Sequence, residues 1–238
     1  MNSFFGNRPI SINALKDFSQ INHQTRQHLK NVYSCLCLTM LSAAVGSGIH
    51  LFTDILKGGI LSSVALFGLL IALAFTPHNG KNQTKRVGIL MGFGFCSGLC
   101  LGPLMDRIME IDPSIIVTAF FATTLIFGCF TLSALYAKQR SFLYLGGILG
   151  SALTMLFMLS LINLFVGSFF FYQIHLYGGL LLFSVFIIYD TQLIVEKHRQ
   201  GDKDYVWHSL DLFLDFINIF RRIMIILAQN KESKKRRN

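Results

Sequence analysis

Three aspartates, Asp190, Asp211 and Asp215, stand in stretches that otherwise read as membrane interior. Asp190 closes the run LLLFSVFIIYD, and Asp211 and Asp215 fall within LDLFLDFINIFRRIMIILA. A carboxylate held at the bilayer centre costs on the order of 3 kcal/mol on insertion scales. Three things relieve that cost: a cation, a proton shared with another acid, or water. On a helix turning 100° per residue, His208, Asp211, Asp215, Asn218 and Arg222 fall within an arc of about 80°. Asp204 joins the same stripe, and the remaining faces carry Leu, Phe, Ile and Met. Arg222 lies two turns beyond Asp215, too far for a direct i, i+4 contact.

Only a short hydrophilic connection separates the segment of Asp190 from that of Asp215, so antiparallel packing can set Asp190 opposite Asp211 or Asp215. Two carboxyls within hydrogen-bonding distance cannot both ionise cheaply, and they titrate as a unit. Such a pair senses protons. When ionised, Asp190 and Asp215 also form an oxygen-rich site for a hard cation such as calcium. His208 adds a group that titrates near neutrality. His23, His28, His78 and His198 read as solvated flank residues, and His50 and His175 as segment-end residues without ligand partners.

Around these residues the chain is greasy. Of 238 residues 53% are hydrophobic and 14% charged, against roughly 25% charged in a soluble domain. That composition implies an all-α, polytopic membrane helix bundle. Seven apolar runs follow one another, at roughly 32–53, 58–76, 87–105, 115–137, 142–166, 172–195 and 205–228. They divide the chain into an N-terminal segment (1–30), a bundle (31–228) and a basic tail (229–238). The connections are short, so sequence neighbours are expected to pack antiparallel. Glycines at four-residue spacings in runs three and five suit close helix contacts within the bundle.

The five cysteines all sit inside apolar runs, which excludes a disulfide framework or zinc site and leaves them as small packing residues. The net charge of +9 is concentrated at the N-terminus, in loops and in KESKKRRN, where Lys231, Lys234, Lys235, Arg236 and Arg237 face one glutamate. No aromatic residues interleave that tail, which argues against nucleic acid. Anionic membrane lipids, acidic protein surfaces or a simple topology signal suit it better.

Loop charges alternate. The N-terminus, NGKNQTKR and KQR are basic, whereas DRIMEIDPS is acidic. That places the N-terminus in the cytoplasm. Seven crossings would then put the basic tail on the far side. Either the seventh run crosses against the charge rule, or it is re-entrant and leaves both termini cytoplasmic; the rule favours the second.

Paired membrane aspartates also suggest an intramembrane protease of the presenilin type. Tyr189-Asp190 fits that pattern, but Leu212-Phe213-Leu214-Asp215 lacks its glycines and no Pro-Ala-Leu follows, so no enzyme is expected. The phrases TLSALYAKQRSFLYLGGIL, FIIYDTQLIVEK and DYVWHSLDLFLDFINIFRR instead resemble the Bax inhibitor family of multipass membrane proteins. The likeness to its animal members runs nearly end to end. It implies a protein of the endoplasmic reticulum that suppresses apoptosis and acts as a pH-sensitive calcium leak, with no cofactor and calcium as cargo. It also implies that the aspartates at the positions of Asp190 and Asp215 share a proton and govern opening. Bcl-2-type proteins and the reticulum's stress-sensor kinase and ribonuclease are the partners it implies. Two other readings stand beside this one: a non-conducting regulator that acts by binding those partners, and a cation/proton exchanger. Bacterial relatives place an arginine on the second helix beside the aspartates; GGILSSVALFGLLIALAF has none, so any counter-charge comes from elsewhere.

Overall fold

The computed structural model describes residues 23–53, 56–79, 82–137 and 142–237. Residues 1–22, 54–55, 80–81, 138–141 and 238 lie outside the described residues. Seven α-helices follow in order: α1 His23–Phe52, α2 Ile60–Phe75, α3 Gln83–Ile111, α4 Ser114–Tyr136, α5 Leu145–Val166, α6 Phe169–Arg199 and α7 Tyr205–Arg237. The protein is an all-α polytopic membrane helix bundle. Helices α1, α3, α4, α5 and α6 are long and apolar enough to cross a membrane. Helix α2 is apolar but has only 16 residues. At 1.5 Å per residue that is about 24 Å, short of a hydrocarbon core.

Helix α7 occupies the centre. It packs against α1, α3, α4 and α6, while α2 lies on α3 and α5 lies on α6. Leu212, Phe213, Ile219 and Met224 on its different faces are fully buried. By contrast, Leu149 is the one described buried residue of α5, whose surface otherwise presents Leu, Met and Phe outward. The most polar of the apolar runs is thus enclosed by protein, and a helix without any charged residue faces outward, as a bundle in lipid requires.

Sequence neighbours do not always pack. Helix α1 lies along α3, two elements on, and the two run in the same direction. The glycine stripe of α3 makes this contact. A Cβ at Gly94 would strike Thr39, one at Gly98 the carbonyl of Ala43, and one at Gly102 the ring of His50. Backbones meet because side chains are missing there. In α5 the spacing does no such work beyond Gly146, which receives Tyr189; Gly147 and Gly150 face open space.

Helix α7 neither breaks nor turns back. It is one continuous helix of 33 residues, about 50 Å long. Its two ends meet opposite ends of α3: Asp204 pairs with Arg86 at 2.6 Å, and Lys231 pairs with Asp112 at 2.7 Å. The Lys231 hydrogen bond, followed by the Ser114 hydroxyl and amide, holds the Asp112 carboxyl at about 2. The start of α1 and the end of α7 thus lie at opposite ends of α3. The basic tail starts beside the acidic end of α3, where Asp106 and Glu110 lie in its last turns and Asp112 caps it. Both flanking segments are more helical than their composition signalled. HQTRQHLK and KESKKRR contain no Gly or Pro and are rich in good helix formers, so α1 starts at His23 and α7 runs through the tail.

A short thiol-specific cross-linker should join Asp112→Cys to Lys231→Cys in a background without the native cysteines. Cross-linking of Lys231→Cys to residue 82 instead, at the other end of α3, would favour the re-entrant arrangement.

Candidate functional site

The α6–α7 contact is a polar seam along most of its length. The helices run antiparallel, and their register descends α6 as it climbs α7. Near one end Gln173 Nε2 donates to Gln229 Oε1 at 3.1 Å. Next, His175 and Gly179 meet Arg222. Deeper, the side chains of Asp190 and Asp215 hydrogen-bond to each other. At the far end His198 and His208 both approach His28 of α1. The stripe read from the sequence of α7 is the face turned to α6.

Asp215 is 4% exposed, and its Oδ2 has no hydrogen-bond partner. Asp211, one turn earlier, is close enough to both acids to interact through charge but is not hydrogen-bonded to them. Nearby in sequence on the same two helices, Ile187, Leu212, Phe213 and Phe216 are all buried. The structure therefore brings Asp190 and Asp215 together and leaves Asp211 as a neighbour. Helix α2, on the outer side of α3, brings no cation to the pair. Arg222 is engaged elsewhere, through Asn218, His175 and the ring of Phe183. Among the described residues no group of three or more His, Cys, Asp or Glu side chains is arranged to hold a metal ion.

Four consecutive residues of α6 place the site. At 100° per residue, Tyr189, Asp190, Thr191 and Gln192 point around most of the helix circumference. Tyr189 lies against Gly146 of α5. Asp190 meets Asp215 of α7. Thr191 is fully buried beside Tyr33 of α1, which also nears Thr131 of α4; none of these three hydroxyls closes a well-formed hydrogen bond. Gln192 donates to the carbonyl of Ala134 in α4 at 3.3 Å and accepts from the amide of Phe142 at 3.0 Å.

Of the histidines read as solvated, His23 and His78 are exposed, whereas His28 is not. His28 is 5% exposed, and its Nε2 shares a hydrogen bond with His208 Nδ1 at 3.0 Å. Its ring stacks on His198 at 4.2 Å. Asp202 Oδ2 lies 3.6 Å from His208 Nε2. His50 is 2% exposed; its Nε2 meets Asp106 at 2.9 Å and its Nδ1 accepts the Gly58 amide at 2.6 Å. Partners for His28 and His50 come from 56 to 180 residues away or from loop backbone, which a local reading of HLK or GIHLF does not reveal. Arg86, 3% exposed, was unmarked by pattern; it locks Asp204 and donates to His78 Nδ1 at 3.0 Å. Of the tail, Lys231 is paired, Lys234, Lys235 and Arg236 are exposed, and Arg237 lies in the last turn of α7.

The family described as "Inhibitor of apoptosis-promoting Bax1" matches residues 25–232, nearly the whole described bundle. The chain belongs to the Bax inhibitor family. It is 53% identical over 236 residues to the probable Bax inhibitor 1 of Paralichthys olivaceus, covering 99% of each chain. With Bax inhibitor 1 of Bos taurus it shares 50% over 237 residues, the full length of both. With Bax inhibitor 1 of Arabidopsis thaliana it shares 40% over 237 residues, 98% of this chain and 94% of the relative.

The lock at the start of α7 has a definite pH signature. Burial pushes the Asp204 carboxyl up, but the Arg86 hydrogen bond, the Trp207 amide and the guanidinium charge outweigh it and hold the acid below its ordinary 3.8. Its stabilising effect is thus complete above the unfolded value and is lost as pH falls through the folded one. Arg86→Gln should destabilise the protein by about 3 kcal/mol, the lower end for breaking a buried pair. Thermal unfolding in detergent should show that loss at neutral pH, and a difference from wild type that shrinks below about pH 4. An equal difference at all pH values would remove Asp204 from the account.

Proposed function

We propose that this chain is an apoptosis suppressor of the endoplasmic reticulum membrane that acts as a pH-sensitive calcium leak. The single observation that carries the ion-passing part is the contact of Asp190 with Asp215 inside the α6–α7 seam. One proton bridges the two carboxyls in the closed state. Its loss leaves two adjacent anions that repel each other and attract a hard cation, which loosens the helix contact and favours calcium in the seam at once. Two carboxylates supply only part of a calcium shell of six to eight oxygens, so water supplies the rest and the ion is held weakly enough to leave. The names of the relatives support the death-suppressing part, and their full-length similarity supports a shared bundle.

Calcium efflux from proteoliposomes, measured against pH, tests the reading. Wild-type flux should follow the protonation of the pair, and Asp190→Asn or Asp215→Asn should each flatten the profile. Unchanged profiles in both variants would sink the acid-pair gate.

The exposed cluster Lys234, Lys235 and Arg236 at the end of α7 favours a second, separable role in docking anionic surfaces, Bcl-2-type proteins or the stress-sensor kinase and ribonuclease among them. Deleting residues 234–238 spares the Lys231 pair. It should leave flux intact and weaken co-purification of those proteins; retained co-purification would count against the tail.

A further inference from the structure

A crevice of about 480 Å³ opens where α5 lies over α6 and α7. That is within the range of sites for small ligands, roughly 300–1,000 Å³. Arg221, Arg222 and Asn218 of α7 line it with His175 and Tyr172 of α6. Its outer wall is Leu153 and Phe157 of α5, 41% and 58% exposed on the lipid-facing side. The acid pair uses none of these residues.

Arg222 is the reason to expect an occupant. It is 8% exposed, and its guanidinium rests against Gly179, where any Cβ would collide with it. Nη1 donates to Asn218 Oδ1 at 3.2 Å and to the Asn218 carbonyl at 3.4 Å, and Nη2 donates to His175 Nε2 at 3.4 Å. The guanidinium carbon stands 4.9 Å from the centroid of Phe183. Nε is buried with no hydrogen-bond partner. A guanidinium keeps its charge and offers five N–H donors, yet none of these neighbours is an anion. Among the described residues, the ion pairs include neither Arg221 nor Arg222. Asp215 is seven residues back on the same helix, about 10 Å along its axis.

An unpaired buried cation is expensive, and more so at membrane depth. Arg222 meets α6 six to ten residues from the start of that helix, so it lies about 9–15 Å from that end of the bundle. An anion entering there from the side passes an apolar wall. We infer that the crevice binds the phosphate headgroup of an acidic membrane lipid, seated on Arg221 and Arg222 with its acyl chains along α5. The planar donor fork of arginine suits two phosphate oxygens, and a second guanidinium in the same crevice favours phosphate over a neutral headgroup. Asn218 and Tyr172 supply further polar contacts, while Leu153 and Phe157 cover the glycerol and upper chain. The site stands independently of whether calcium passes the acid pair.

Native mass spectrometry and thermal unfolding of the full chain in detergent, with phosphatidylglycerol or phosphatidylcholine added, test this. Phosphatidylglycerol should bind and raise the unfolding midpoint, and phosphatidylcholine should do neither. Arg222→Gln should weaken binding by about tenfold, the value of one lost charge-assisted hydrogen bond. Ser160→Trp, which fills the crevice from α5 without touching a charge, should weaken it as much while unfolding like wild type in the absence of lipid. Lys234→Gln with Lys235→Gln should leave binding unchanged, since those side chains lie outside the crevice. Equal binding of the two lipids would overturn the inference, as would wild-type affinity in both crevice variants. Stabilisation by inorganic phosphate alone that matches phosphatidylglycerol would also overturn it, by showing a free-anion site.

Discussion

A carboxyl group inside an apolar bundle has few places to go, and much of this architecture follows from where Asp215 goes. It cannot face lipid, so α7 cannot sit at the edge. Enclosing α7 requires four neighbours, and α1, α3, α4 and α6 supply them. The two remaining helices, α2 and α5, are then free to be almost wholly apolar and lie on the outside. The acid itself finds its partner in Asp190, because α6 runs antiparallel to α7 with a register that brings the two together. Moving either helix by a turn would leave a lone buried carboxyl, which is the most costly arrangement available to it.

The same constraint explains the density of meaning in YDTQ. Each of four successive side chains reaches a different neighbour, so α6 acts as a hub and cannot rotate without losing several contacts at once. Glycine does the complementary work on α3. There the stripe of Gly94, Gly98 and Gly102 lets α1 approach until backbones touch, which draws α1 close enough to α7 for Ser209 to donate to the carbonyl of Val32 at 2.9 Å. At the two ends, Arg86–Asp204 and Lys231–Asp112 fix α7 along α3 as a strut. Between them lies the longest stretch of seam, and only there are the polar partners both acidic.

Much of this was readable from residues because it depends on local periodicity. Apolar runs located the seven helices, and a 100° projection put His208, Asp211, Asp215, Asn218 and Arg222 on one face. The short loop before α7 then limited the partner of Asp215 to the end of the preceding run. What escaped depends on contacts distant in sequence. His28 looked solvated in QHLK because its partners, His198 and His208, arrive from α6 and α7. The pairing of Lys231 with Asp112 was not legible because the two stand over a hundred residues apart. Parallel packing of α1 on α3 needed knowledge that α2 would lie outside both. Arg222 was visible as a charge on the stripe, but only the structure shows that its neighbours are an amide, an imidazole and a phenyl ring.

The proposed gate rests on Asp190 and Asp215 holding one proton between them. Infrared spectroscopy of the protein in lipid, titrated with pH, reads protonated carboxyl groups directly. A protonated-carboxyl band is expected in the wild type and should be shifted or lost in both Asp190→Asn and Asp215→Asn, because each substitution destroys the same shared bond. A band that survives unchanged in either variant, or the absence of any such band across the titration, would contradict it.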